Sequence, residues 1–171
     1  KKLSSKSNEL IEVLSEHLPW HRSRIKFLTF FILAICTIGN VSFTKIAKAF
    51  ERKAKKDSKV RRIQHFISDF EFDYLKWASF LVSLMKITGP MKLIFDRTNW
   101  SFGLFDINIL MLSIAYKRIS VPVLFILLDN KGGNSKTYHR QILLDRFIQL
   151  FGKENIDCIL ADREFIGSQW I

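Results

Sequence analysis

The chain is 171 residues long, 48% hydrophobic with 16 Phe, and carries a formal net charge of +11. That length allows one domain or two small ones, and the apolar content excludes a disordered chain. The charge is lopsided: residues 1–66 hold 15 Lys+Arg against 5 Asp+Glu, whereas residues 67–171 hold 12 against 11. A basic module in front of a nearly neutral one implies a polyanionic partner, either nucleic acid or an anionic membrane surface.

Residues 1–17 are predicted to form an amphipathic helix, because Leu10, Ile11, Leu14 and Leu18 recur at helical spacing opposite Glu9, Glu12 and Glu16. Leu18-Pro19-Trp20 breaks it. Ser23 is the expected cap of a second helix through Phe27, Phe30, Phe31, Leu33, Ala34 and Ile38, stopped by Gly39. This helix is apolar nearly all round, so it is expected at the centre of a small helical domain. Its apolar run, Phe27 to Ile38, is twelve residues long. Extension to Phe43 brings in Gly39, Asn40 and Ser42 and still falls short of the ~20 residues a bilayer core requires. The chain also opens polar, so neither a secretory leader nor a membrane span is expected. Cys36 and Cys158 lie in apolar runs with no CxxC or Cys/His cluster, and read as core thiols of a reducing compartment.

Ser42 is the expected cap of a third helix, Phe43 to Arg52, and Lys53 to Lys56 make a basic turn. Ser58 then caps a fourth, with Val60, Ile63, Phe66 and Ile67 inward and Lys59, Arg61, Arg62 and His65 outward. A short helix, a turn and a second helix with a basic outer face form the helix-turn-helix pattern, whose second helix enters the major groove. A solvated charged face on an ordinary bundle would look similar. The concentration of positive charge in this third of the chain decides for duplex DNA. In that reading Lys59, Arg61 and Arg62 meet bases or phosphate, and Lys53, Lys55 and Lys56 meet phosphate alone.

Asp69 to Lys86 reads as a connecting helix, and Gly89-Pro90 is the clearest break. The expected division is therefore a helical DNA-binding domain, 1–88, and a second domain, 89–171. In the second domain the periodicity becomes that of strands. Met91 to Phe95 leads into Asp96, Trp100 to Gly103 reads as a turn, and Phe105 to Tyr116 is a second strand. Val121 to Leu128 is a third, with Pro122 tolerated near its start. After the loop Asp129 to Asn134 comes a helix, 135–151, with Leu143, Phe147 and Leu150 inward and Arg140, Asp145 and Gln149 outward. Gly152 stops it. Ile156 to Ala161 is a fourth strand, ending on Asp162.

The order is β-β-β-α-β. A right-handed crossover brings the fourth strand back beside the first and parallel to it, in the sheet order 3-2-1-4. Asp96 and Asp162 would then stand at neighbouring strand ends. Two such carboxylates suit Mg²⁺, or Mn²⁺ in its place, with phosphate oxygens and water as the other ligands. Paired ions activate a nucleophile and stabilise the leaving oxygen of an in-line displacement. Asp129 more simply ends a strand or caps a loop. His17, His21, His65 and His139 show no ligand spacing.

The segments Phe95-Asp96-Arg97-Thr98-Asn99-Trp100, Leu127-Leu128-Asp129-Asn130-Lys131-Gly132 and Leu160-Ala161-Asp162-Arg163-Glu164-Phe165 carry a resemblance. They resemble the DDE transposases of bacterial insertion sequences, closest to the insertion-sequence-four family. The resemblance implies an α+β chain: a helix-turn-helix-like domain, then a partial RNase H-like fold. It implies DNA strand cleavage and transfer by metal-dependent phosphoryl transfer, with Asp96 and Asp162 as the first two catalytic and metal-binding carboxylates. Arg163 would meet a substrate phosphate or pair with Glu164. The family's third carboxylate is a Glu in a Tyr-Arg-Glu-Lys signature, which these 171 residues lack. They are accordingly expected to be an inactive fragment. The implied partners are duplex DNA at element ends and target, and a second copy in the full-length enzyme, in a bacterial cytoplasm at the nucleoid. The alternative is a helix-turn-helix regulator with no catalytic activity.

Overall fold

The computed structural model describes residues 5–50, 55–102, 104–129 and 135–165. The helices are α1 (Ser5–His17), α2 (Arg22–Ile38), α3 (Phe43–Ala49), α4 (Lys56–Asp69), α5 (Tyr74–Met85) and α6 (Thr137–Phe151). The strands are β1 (Met91–Phe102), β2 (Phe105–Tyr116), β3 (Ile119–Leu128) and β4 (Ile156–Ala161). The class is mixed α and β, with helices first and the sheet after.

The chain divides into two units, Lys1–Phe72 and Asp73–Ile171. The division falls sixteen residues before the expected one at 88, because α5 packs with the sheet: Ala78 and Met85 belong to the same buried cluster as Leu93, Phe95 and Leu112. Gly89, at φ 97, is a bend inside the second unit.

In the first unit α1, α3 and α4 each bury one stripe, whereas α2 buries residues on more than one side. Ile11, Leu14 and Leu18 come from α1 and its end, Ile25, Phe27 and Leu28 from α2, Ile46 and Ala47 from α3, and Ile63 and Phe66 from α4. Such i, i+3 and i+4 spacings are what burying a single helical face requires. Aromatic contacts knit the stripes together. Phe27 lies 4.5 Å from Phe66, Phe66 stacks on Phe70 at 4.8 Å, and Trp20 meets Phe70 edge-on at 4.8 Å. Gly39 ends α2 in the left-handed conformation, φ 62, and its N–H donates to the Ile35 carbonyl at 2.8 Å. The other end differs from expectation. His21 is the cap, and its Nδ1 takes the Ser23 N–H at 3.3 Å. The last turn of α2 is exposed, so Cys36 is a surface thiol rather than a core one, and Cys158 is only half-buried. Among the described residues no single helix is long and apolar enough to cross a membrane. Only α2 and α3 taken together reach that length and composition, and they are bent by 103°.

In the second unit the four strands run in the order β3-β2-β1-β4, as the β-β-β-α-β reading requires. β1 and β2 pair antiparallel from Leu93↔Ile114 to Phe102↔Phe105, so the expected turn at Trp100 is still strand. β2 and β3 pair antiparallel with a register shift between Leu112 and Ser113, next to Pro122. An edge strand with a local irregularity is where a residue without an N–H fits. Alternation puts Leu93, Phe95, Leu110, Leu112, Leu124 and Leu128 in the core, beside Leu143 and Phe147 of α6.

Lys117 and Arg118 join β2 to β3, both at positive φ, 45 and 70. Two-residue hairpins of this kind match the strand twist but favour Asn-Gly, because a Cβ in the left-handed region costs roughly 1–2 kcal/mol. Replacing Lys117→Asn and Arg118→Gly together should therefore raise the urea midpoint by an amount equivalent to about 1–2 kcal/mol. An unchanged or lowered midpoint would show that the turn carries no such strain.

Candidate active site at the β1–β4 pair

The site depends on one parallel pairing. β1 and β4 are matched from Lys92↔Cys158 through Phe95↔Ala161. Asp96 and Asp162 each follow the last pair by one residue, where adjacent strands lie ~4.8 Å apart. Asp162 ends β4 as expected. Asp96 does not end β1, which continues to Phe102; it stands mid-strand, level with the point where β4 stops.

Both carboxylates are exposed. One oxygen of each is held by the next backbone amide: Arg97 N–H donates to Asp96 Oδ1 at 2.8 Å, and Arg163 N–H to Asp162 Oδ1 at 2.6 Å. The second oxygen of each takes no described hydrogen bond. The donors are thus two short carboxylates with hard oxygens facing solvent, which fits Mg²⁺ that keeps several waters. Among the described residues no group of three or more His, Cys, Asp or Glu could hold an ion.

What fixes the end of β4 lies beneath it. The Phe165 N–H donates to the Asp162 carbonyl at 2.9 Å, closing a single 3-10 turn, Arg163–Phe165. Phe165 is buried, its ring centroid 6.2 Å from that of Phe95. Arg140 was expected on the outer face of α6, but it is buried. Its Nη1 donates to the Phe165 carbonyl at 2.7 Å and its Nη2 to the Ser135 carbonyl at 3.3 Å. The guanidinium also lies 5.7 Å from the Phe165 ring. A planar fork that reaches two carbonyls and a ring face can sit inside, whereas sequence periodicity alone sends an Arg outward. Removing it by Arg140→Met would leave two carbonyls without that donor and should cost about 1–3 kcal/mol in urea unfolding. A change under about 0.5 kcal/mol, the usual range for surface substitutions, would mean that Arg140 does not anchor the turn.

Asp129 does not join the pair. It follows β3, with β2 standing between β3 and β1. Its charge bears instead on His139, at the start of α6. His139 is buried, and its Nδ1 faces the Lys136 N–H at 3.3 Å, an acceptor role that needs a neutral ring. Burial, and then the Lys136 charge, hold its pKa below the ordinary 6.5, with Asp129 opposing them. The unfolded chain therefore binds this proton more readily than the folded one. Stability from the neutral ring is complete above pH 6.5 and is lost as the pH falls below it. Chemical denaturation between pH 7.5 and 5 should show this decline, and His139→Gln should flatten it. An equally steep decline in the variant would assign the pH dependence elsewhere.

The basic residues of the first unit are not one outward face. Lys53 lies outside the described residues. Lys55, Lys56 and Arg61 are exposed, as is Arg163 in the second unit. Lys59, expected outward, is half-buried, and its Nζ donates to the Phe50 carbonyl at 2.5 Å. Arg62 sets its guanidinium 5.1 Å from the Phe27 ring centre. At 100° per residue Lys59 lies on the same stripe as the buried Ile63 and Phe66 and Arg62 on its flank, while Arg61 points the opposite way. Together with Lys26 of α2, missed by the sequence reading, Lys59 and Arg62 line a cleft of about 180 Å³. The missed signal is that Lys26 begins the apolar run of α2 on the same flank.

Comparison with protein-family models, with curated proteins and with solved structures finds no match.

Proposed function

We propose that the chain performs metal-dependent polynucleotidyl transfer of the DDE-transposase type, on a partial RNase H-like fold. The observation supporting this reading is the parallel β1–β4 register, whose last pair, Phe95↔Ala161, immediately precedes the exposed carboxylates Asp96 and Asp162. The basic first unit, 15 Lys+Arg against 5 Asp+Glu over residues 1–66, supports duplex DNA as the partner.

In this reading Asp96 and Asp162 hold Mg²⁺ through their solvent-facing oxygens, while the Arg97 and Arg163 amides fix the other oxygen of each. The bound ion supplies charge for the phosphoryl group and acidifies a water or hydroxyl. The protein's own part is positioning. Phe95, Phe165 and Arg140 hold the strand end, and Arg163, exposed beside Asp162, is placed to meet a phosphate oxygen. Transfer also needs further charge stabilisation beyond two carboxylates, and losing one stabiliser commonly costs on the order of 10²–10³ in rate. A bacterial, nucleoid-associated setting and a dimeric active form belong to the same proposal.

Mn²⁺ should broaden the amide signals of Asp96, Arg97, Asp162 and Arg163 and leave the first unit untouched. The double replacement Asp96→Asn, Asp162→Asn should abolish that broadening while duplex DNA binding persists. Residues 1–171 assayed alone should nick duplex DNA poorly even with Mn²⁺. Broadening that survives the double variant would support the regulator, whose second unit has no metal chemistry.

A further inference from the structure

The cleft between α2 and α4 is built differently from an ordinary groove between helices. Its wall carries three cations, Lys26, Lys59 and Arg62, and two hydroxyls, Ser23 and Ser58, above a floor of Phe27, Phe30 and Phe50. Among the described residues no Asp or Glu lines it. Two of the cations are already placed. The Lys59 ammonium rests on the Phe50 carbonyl at 2.5 Å, and the Arg62 guanidinium lies 5.1 Å from the Phe27 ring centre. Long basic side chains normally lose rotamer entropy on binding, so cations held in this way lower the cost of meeting an anion.

Three cations and two hydroxyls around one small cleft form a donor set that suits an anion. The size narrows the choice. At ~30 Å³ per water, the volume of about 180 Å³ admits roughly six waters, or one phosphodiester group with part of its sugar. The surroundings narrow it further. Lys55 and Lys56 stand exposed at the start of α4, so positive charge continues beyond the cleft along a path that a strand could follow.

We propose that this cleft seats one phosphate of a polynucleotide backbone. The proposal rests on the DNA-binding reading above and changes its geometry: the strand crosses the first turns of α2 and α4, and the outer face of α4 is not the main contact. Lys26 becomes a contact residue, and Lys59 and Arg62 bind phosphate rather than read bases.

The full chain should be titrated with a duplex oligonucleotide over a series of salt concentrations, alongside Lys26→Gln and, as a control for lost charge, Lys153→Gln in the second unit. Lys26→Gln should lower the slope of log K against log salt by about 0.9, one phosphate contact, while Lys153→Gln leaves it unchanged. Ser58→Asp, which puts a negative charge in the cleft, should weaken binding further. In parallel, inorganic phosphate should shift the amide signals of Lys26, Ser58 and Lys59. If duplex binds but Lys26→Gln and Ser58→Asp match the wild type, the cleft proposal is overturned and the DNA reading stands. If duplex does not bind at all, the DNA reading fails and the backbone-phosphate assignment fails with it. Phosphate shifts would then mark a site for small phosphate compounds, and their absence would remove the site altogether.

Discussion

Parallel pairing between β1 and β4 is the constraint from which the rest of the second unit follows. A parallel neighbour cannot be reached by a hairpin, so the chain needs a crossover, and α6 supplies it across one face of the sheet. That face must then be apolar on β1 and β2, which is why Leu93, Phe95, Leu110 and Leu112 alternate inward beside Leu143 and Phe147. The same alternation turns Asp96 to the opposite face. The carboxylate thus stands on a strand whose neighbouring side chains are buried in the core.

The first unit solves a different problem, that of keeping many positive charges near one another. Most of its helices bury single stripes, and closeness to those stripes determines which charges are held and which are free. Lys59 and Arg62 lie close enough to the core to be caught by Phe50 and Phe27. Arg61, on the far side of α4, stays in solvent. Charge counting shows that the unit is basic, but only helix phase separates fixed cations from mobile ones, and fixed cations are the ones able to give a phosphate a defined position.

Much of the fold was legible in the sequence because its signals are local. Unbroken apolar runs marked β3 and β4, alternation marked β2, and Gly39 and Gly152 marked helix ends that need unusual backbone angles. The sheet order followed from connection rules applied to those elements. The failures were tertiary. Arg140 is buried because two carbonyls and a ring happen to receive it, and neither partner is near it in sequence. Periodicity could assign α5 to a helix but not to a unit, since either unit could have covered its apolar face. Strand β1 continues past Asp96 because β2 pairs with it up to Phe102, although Trp100 to Gly103 read as a turn. At the site the placement of Asp96 and Asp162 just past the last β1–β4 pair was legible, while the buried support beneath Asp162 was not.

The two Asp-Arg sequences look self-neutralising, yet strand geometry prevents that. Successive side chains on a strand point to opposite faces, so Arg97 is directed away from Asp96, and its Nη1 donates to Asn99 Oδ1 at 3.0 Å. Each Arg contributes its backbone amide to the preceding carboxylate instead. Two carboxylates on neighbouring strands repel each other. Any phosphate brought near adds to that repulsion and excludes water, which strengthens it. A divalent cation held between the acids would add attractions that offset these repulsions. An exposed pair of acids at the end of the β1–β4 pairing, with the Arg97 side chain turned aside, is thus an arrangement that a bound divalent cation would stabilise.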